Sequence, residues 1–355
     1  MAAVVTPEDQ ACLDEHGYCV IKSVVDEAVA TSIRSLIDDL LGPEPRETID
    51  AAALGYQTYE TLKSHGADYK WPRKLGDDPT STPILKTGNH LHWVEHPIHD
   101  ARAAAAVPAM APLLASLLRC TDPERDLKLI HQNFRRTDPS PPPYPDYIDE
   151  GVLDGTGGGV GFHLDSAFLP SHYEATPRQN YYITILALTP VVSGGAAFCY
   201  APGSLAASKR AAGKLSPEQQ AAVNPRSCRG LLLSIVQDAQ VMSCRETAKE
   251  VTFEVGDMLV LDLMTTHAGS KFREDVVHRL GNQRHGLFSM WADSAAFGVT
   301  LAGLSDRNYA SPAEKYTPEM KAALPAELRG LLEWTMPEET SDGLEAFAPV
   351  SAAKM

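Results

Sequence analysis

The chain has 355 residues, 44% of them hydrophobic and 22% charged, with 46 acidic against 31 basic side chains for a formal charge of −15. That length accommodates two average domains or one large one with insertions, and the composition supports a substantial core. The acidic balance offers no basic face to a nucleic acid. The longest uncharged stretch, near residues 103–119, is broken by Pro108 and Pro112 and too short to cross a bilayer.

In chain order, Thr6-Pro7-Glu8-Asp9 opens a helix with a hydroxyl cap, a proline in the first turn and acids at the positive dipole end. Gly17 stops it, and residues 18–21 read as a strand. Asp26 caps a second helix, in which Ile33, Leu36, Ile37, Leu40 and Leu41 form one buried stripe. Gly42-Pro43 ends it. Residues 43–100 carry little periodicity but hold His65, His90, His92, His96 and His99. No carboxylate or cysteine stands at a useful spacing from them, so they read as a wall beside a site rather than a metal centre. A helix is expected over 110–119.

From residue 127 the character changes. Residues 127–136, LKLIHQNFRR, alternate like a strand, and the proline-rich stretch at 138–147 reads as an exposed loop. Further strands are expected at 161–165, 181–188, 196–200, 231–237, 250–254, 258–263 and 284–291. Turn signals such as Ser193-Gly194-Gly195 and Gly256-Asp257 separate them, and 205–222 reads as a helical insertion. Many short strands behind an N-terminal helical part predict a mainly β fold with α (α+β), a sandwich or barrel. One domain over 1–355 is expected: a mainly helical 1–120, a β core over 121–295 with insertions at 138–160 and 205–228, and a C-terminal extension at 296–355.

The six cysteines are scattered without a CxxC pair and read as reduced thiols. MAAVVTPEDQ lacks the basic and apolar regions of a secretory signal, so a cytoplasmic location is expected. The ending Ala353-Lys354-Met355 loosely resembles a peroxisomal import tripeptide.

The chemistry begins at GFHLDSAF, residues 161–168. On a strand, residues two apart share a face, so His163 and Asp165 present a nitrogen and an oxygen ligand together. His267, in MLVLDLMTTHAGS after an apolar strand, is the candidate third ligand. Two histidines and one carboxylate on one face of an octahedron suit a non-haem Fe(II) that must also bind a co-substrate and oxygen. Arg284 opens the strand RHGLFSMW, and its guanidinium suits the far carboxylate of a 2-oxo dicarboxylate. Arg279 is the competing anchor.

These residues resemble the phytanoyl-CoA dioxygenase family of Fe(II)/2-oxoglutarate oxygenases over most of the chain. DEHGYCVIKSVVDEAVATSIRSLIDDLL resembles its N-terminal signature, and HLD at 163–165 resembles its HxD. SGGAAFCYAPGSL resembles its glycine-rich turn and PGSH, with Leu205 where histidine is commoner. GDMLVLDLMTTHAGS resembles its distal-histidine segment, with Ala268 where glycine is usual, and RHGLFSMW resembles its arginine strand.

The resemblance implies a double-stranded β-helix (jelly-roll, cupin-like) core with N-terminal helices packed on one sheet. It implies an iron held by His163, Asp165 and His267, with 2-oxoglutarate and O2 as co-substrates. It also implies oxidation of a C–H bond of a small-molecule metabolite, with release of succinate and CO2. Hydroxylation is the expected outcome, with desaturation or ring closure as variants. Asp165 occupies the position that halogenating relatives leave open for chloride, which favours hydroxylation. Gln132 and Thr184 are candidate partners of 2-oxoglutarate beside Arg284, and Phe168, Tyr181 and Trp291 are candidates for the substrate pocket. Two readings stay open beside this one: a cupin-like hydrolase or isomerase without 2-oxoglutarate, and a 2-hydroxylase of fatty acyl-CoA. The expected partner is a small molecule, with no nucleic acid or membrane, and a homodimer is compatible with the sequence.

Overall fold

The computed structural model of the chain describes residues 3–42, 85–88, 91–95, 100–138, 181–212, 248–262, 264–269, 276, 283–293, 322 and 324–332. The strands expected at 161–165 and 231–237 and the proline-rich stretch at 139–147 lie outside them.

The first helix, α1 (Pro7–His16), starts where its residues dictate. Thr6 Oγ1 accepts from the Asp9 N–H at 3.1 Å and the Asp9 carboxylate accepts the Thr6 N–H at 2.9 Å, a closed capping box. Gly17 ends α1 in the left-handed region, with φ 79°. Strand β1 (Tyr18–Ile21) follows. In α2 (Glu27–Leu41), Asp26 Oδ1 accepts from the Val29 N–H at 2.8 Å, and Ile33, Leu36 and Ile37 of the expected stripe are buried.

The weakly periodic region contains a hairpin that the sequence reading lacks, β2 (Leu85–Gly88) and β3 (Leu91–Glu95). The apolar run of residues 101–118 forms α3 (Ala101–Ala104) and α4 (Val107–Leu118), most of it buried, so core packing accounts for its apolarity. Next come α5 (Pro123–Asp126), β4 (Leu127–Thr137), β5 (Tyr181–Ala187), β6 (Phe198–Tyr200) and α6 (Ser204–Ala212). They are followed by β7 (Lys249–Val251), β8 (Met258–Asp262), β9 (His267–Gly269) and β10 (Arg284–Asp293), and by a 3-10 helix at Ala326–Leu332.

Among the described residues the strands form two antiparallel sheets, a seven-stranded one ordered β1-β8-β5-β10-β4-β3-β2 and a three-stranded one ordered β7-β6-β9. The faces of the large sheet separate cleanly. Tyr182, Leu186, Met258, Val260, Leu287 and Trp291 pack with α1, α2 and α4 in one core. Ile183, Ile185, Leu259, Leu261, Met290 and Ala292 pack with Phe198, Tyr200 and Val251 of the small sheet in another. This is the expected jelly-roll layering, with helices on one sheet's outer face and an inner space between the sheets.

Strand β4 breaks its own alternation. Leu129 lies opposite Trp291 but His131 lies opposite Met290, so Ile130 is an extra residue, a β-bulge. Before the bulge the odd residues Leu127 and Leu129 face the helices; after it the even residues do, as Phe134 shows. The neighbours Arg135 and Arg136 therefore face opposite ways. Arg136, on the helix side, pairs with Asp138 (Nε to Oδ1 3.0 Å, Nη2 to Oδ2 3.0 Å) with both side chains fully buried, and donates to the Gly42 carbonyl at 2.5 Å. The Gly42 hydrogen bond ties the end of α2 to β4, and the Asp138 carboxylate neutralises the arginine that makes it. On the same face His285 is buried near Phe134 and Asp38, and burial holds its imidazole pKa below the ordinary value.

Residues 264–266 lead into the small sheet from the end of β8 in the large one. Asp262 Oδ1 accepts from the Met264 N–H at 2.9 Å and the Asp262 carbonyl accepts from the Thr265 N–H at 3.0 Å, a tight corner. Burial pushes the Asp262 carboxyl pKa up, and Lys209, 3.5 Å away, pulls it back down. The Gly17 carbonyl accepts from both the Asp262 N–H at 2.9 Å and Thr265 Oγ1 at 3.1 Å. A Cβ on Gly17 would lie 1.8 Å from Thr265 Oγ1, so the glycine serves both the α1 cap and the corner. Gly17→Ala is expected to cost about 2–5 kcal/mol, from a left-handed alanine and an overpacked contact. Urea melts check this; a loss under about 0.5 kcal/mol would show that the corner adjusts freely.

Candidate functional site

His267 opens β9 directly after the corner. Its partner across the sheet is Tyr200, which faces the inner space, and its ring stacks on Phe198 at 5.5 Å between centroids. The side chain is 7% exposed. Nδ1 lies 2.9 Å from the Thr265 carbonyl. A carbonyl only accepts, so the proton sits on Nδ1 and Nε2 carries the lone pair. A backbone carbonyl fixing the ring of a metal-binding histidine in this tautomer is a recurrent device. The same corner that carries His267 across to the small sheet thus sets which nitrogen can ligate.

Arg284 opens β10 on the inner face, in alternation with Phe288, Met290 and Ala292. Its Nη1 donates to the Ala196 carbonyl, two residues before Phe198. Ala196 holds a positive φ of 58°, unusual for a residue with a Cβ. Arg284 and His267 are thereby bracketed by one segment, Ala196–Phe198. Burial, with the charge of Arg135 beside it, pulls the Arg284 guanidinium down to about 10. Among the described residues no carboxylate pairs with it.

The inner face of β4 carries residues that the sequence reading passed over. Asn133 Oδ1 accepts from Arg135 Nε at 3.0 Å, and its amide nitrogen lies 3.0 Å from His131 Nε2. The arginine fixes the amide orientation, so the amide donates to Nε2 and His131 is in its neutral Nδ1–H form. The Arg135 guanidinium carbon sits 3.9 Å above the Phe288 ring centroid. The signal was present in LKLIHQNFRR as His-x-Asn-x-Arg.

Gln132 and Thr184, expected beside 2-oxoglutarate, lie on the other side of the sheet. Gln132 Nε2 donates to Ser289 Oγ at 3.4 Å, Thr184 Oγ1 to the Ser289 carbonyl at 3.3 Å, and Trp291 Nε1 to Thr184 Oγ1 at 3.3 Å. All three residues are fully buried on the helix-facing side. The bulge at Ile130 displaces Gln132 by reversing the strand's parity. For Thr184 and Trp291 the cause is a sheet buried on both faces, where alternation carries no sign of which face is which. Trp291 is thus a helix-side core residue, not a pocket wall. His163, Asp165, Phe168 and Arg279 lie outside the described residues, as does the side chain of Tyr181. No group of three metal-ligating residues occurs among the described ones. The donor that is described, His267, fits a divalent metal by its tautomer and its inward face.

The chain matches the family described as phytanoyl-CoA dioxygenase (PhyH) over residues 13–275. Comparison with curated protein sequences gave no match. Solved structures to which the chain is similar include HygX from Streptomyces hygroscopicus with nickel and 2-oxoglutarate bound, at 15% identity, 82% of this chain, 88% of that one and a TM-score of 0.39. Another is SnoK, a non-heme alpha ketoglutarate dependent carbocyclase from nogalamycin biosynthesis, at 16%, 81%, 84% and 0.43. A third is AviO1 from Streptomyces viridochromogenes Tue57, at 15%, 83%, 98% and 0.42.

His267→Ala is expected to weaken Co(II) or Mn(II) binding about tenfold or more by calorimetry, with the melting temperature of the metal-free protein nearly unchanged. Undiminished affinity would remove His267 from the metal site.

Proposed function

The chain belongs to the phytanoyl-CoA dioxygenase family of Fe(II)/2-oxoglutarate-dependent oxygenases, and from that premise we propose that it hydroxylates an unactivated C–H bond of a small-molecule metabolite. The observation that carries the reading is the joint placement of two groups on the inner faces. One is an imidazole whose Nε2 bears the lone pair. The other is a guanidinium with no carboxylate partner among the described residues.

His163, Asp165 and His267 would hold the iron in this reading. When bound with 2-oxoglutarate and dioxygen, the metal supplies the oxidising power to break a C–H bond. The chain's own residues supply orientation. Thr265 keeps the His267 proton on Nδ1 by accepting it at its carbonyl. Arg284, steadied by the Ala196 carbonyl, would take the far carboxylate of 2-oxoglutarate. Phe198, Ile183, Ile185 and Leu259 line the space between the sheets with apolar surface, which excludes water from the reacting groups. Asp165 brings a carboxylate where chloride would otherwise bind, which supports hydroxylation over halogenation. A hydrolase or isomerase without 2-oxoglutarate would give Arg284 no anion to meet.

An anaerobic titration tests this. The protein loaded with Fe(II) and then with 2-oxoglutarate is expected to develop a weak visible charge-transfer band near ~500 nm, which open adjacent positions on a facial-triad iron permit. Arg284→Ala and Asp165→Ala should both weaken it. Intact iron binding without any band would overturn the 2-oxoglutarate reading.

A further inference from the structure

Adjacent arginines in β4 have opposite surroundings. Arg136 turns to the helix side and is neutralised by the buried Asp138 at 3.0 Å. Arg135 turns inward and meets no carboxylate among the described residues, in a chain with 46 acids against 31 bases. Its side chain is nonetheless held from two directions: Nε donates to Asn133 Oδ1 at 3.0 Å, and the guanidinium plane lies over Phe288 at 3.9 Å. Asn133 is itself fixed by His131 at 3.0 Å. Such a guanidinium has lost little further freedom to lose on binding, and its Nη donors are the ones not used by Asn133.

The position in the register matters as much. Arg135 lies opposite Gly286, and Arg284 opposite Thr137, so the two guanidinium-bearing positions are diagonal neighbours on one inner face with a glycine between Arg284 and Phe288. Burial, and then the Arg135 charge beside it, lower the tendency of Arg284 to hold its proton. Two like charges gathered in a partly buried space destabilise the empty site and favour an occupant carrying compensating negative charge. The far carboxylate of 2-oxoglutarate accounts for one arginine under the reading above.

We propose that Arg135, braced by Asn133 and Phe288, anchors an oxyanion of the substrate itself, so that the enzyme acts on a small organic acid bearing a carboxylate or phosphate. This rests on the 2-oxoglutarate reading of Arg284. The bracing sets the specificity: a bidentate guanidinium locates the acid group, and the apolar inner wall of Ile183, Ile185 and Met290 receives the carbon skeleton. A neutral analogue would leave the guanidinium without its counter-charge and bind less well.

The test uses full-length protein loaded with Mn(II) and saturated with N-oxalylglycine, an unreactive mimic of 2-oxoglutarate, so that the first anion position is filled. Benzoate, phenyl phosphate and the neutral benzamide are then titrated by calorimetry. Benzoate or phenyl phosphate is expected to bind at least about tenfold more tightly than benzamide, and whichever binds better identifies the oxyanion. Arg135→Ala and Arg135→Gln should abolish that preference while leaving N-oxalylglycine affinity within about twofold, and Arg135→Lys should restore part of it. Arg284→Ala should do the reverse, losing N-oxalylglycine affinity. The proposal is overturned if the wild-type protein shows no anion preference, or if the Arg135 variants lose N-oxalylglycine affinity as steeply as Arg284→Ala, which would put both arginines on one carboxylate. Failure of N-oxalylglycine to bind the wild-type protein would sink the underlying reading instead. The probe titrations on Mn(II) protein alone then still decide whether Arg135 holds an anion.

Discussion

A short corner at Asp262–Thr266 decides what the space between the two sheets can contain. It takes the chain from β8 in the large sheet to β9 in the small one and delivers His267 to the inner face. Three unrelated parts of the chain hold it: the Gly17 carbonyl at the end of α1, the Asp262 carboxylate within the corner, and Ser204 Oγ, which accepts from the Thr266 N–H at 3.0 Å. The carbonyl of Thr265 then fixes the imidazole proton on Nδ1. A run of hydrogen bonds thus connects the helix cap near the N-terminus, through Thr265, to the imidazole.

The second organising feature is the partition of charge between the faces of the large sheet. On the helix side the buried Arg136 has its counter-charge, Asp138, and Gln132, Thr184 and Trp291 gather around Ser289. On the inner side, Arg135 and Arg284 meet only neutral groups among the described residues, a carbonyl, an amide oxygen and a ring face. A fold does not gain stability from leaving two cations beside each other without counter-charge. Under the proposals above, an acid co-substrate and an acid substrate would supply the charge that packing among the described residues does not.

Much of this was legible in the sequence. Thr6, Asp9 and Gly17 declare α1 because capping is local chemistry. His267 and Arg284 declare themselves through the apolar strands beside them, and both reach the inner space. The placement of Gln132 failed for a definite reason: Ile130 adds one residue to β4, and a single added residue turns every later side chain over. The same slip hid His131, Asn133 and Arg135. Strands buried on both faces, such as β5, give no alternation to read, so Thr184 carried no sign of its side. The hairpin β2–β3 was missed because its short strands, at the far edge of the sheet, lack the apolar run that marks the central ones.

The most direct test of the account is a crystal structure of the protein with Mn(II) and 2-oxoglutarate bound. Mn(II) is expected on Nε2 of His267, with His163 and Asp165 completing the protein ligands, and the far carboxylate of 2-oxoglutarate on Arg284 between the sheets. A metal bound through Nδ1 or at another site, or a 2-oxoglutarate carboxylate resting away from Arg284, would contradict that arrangement.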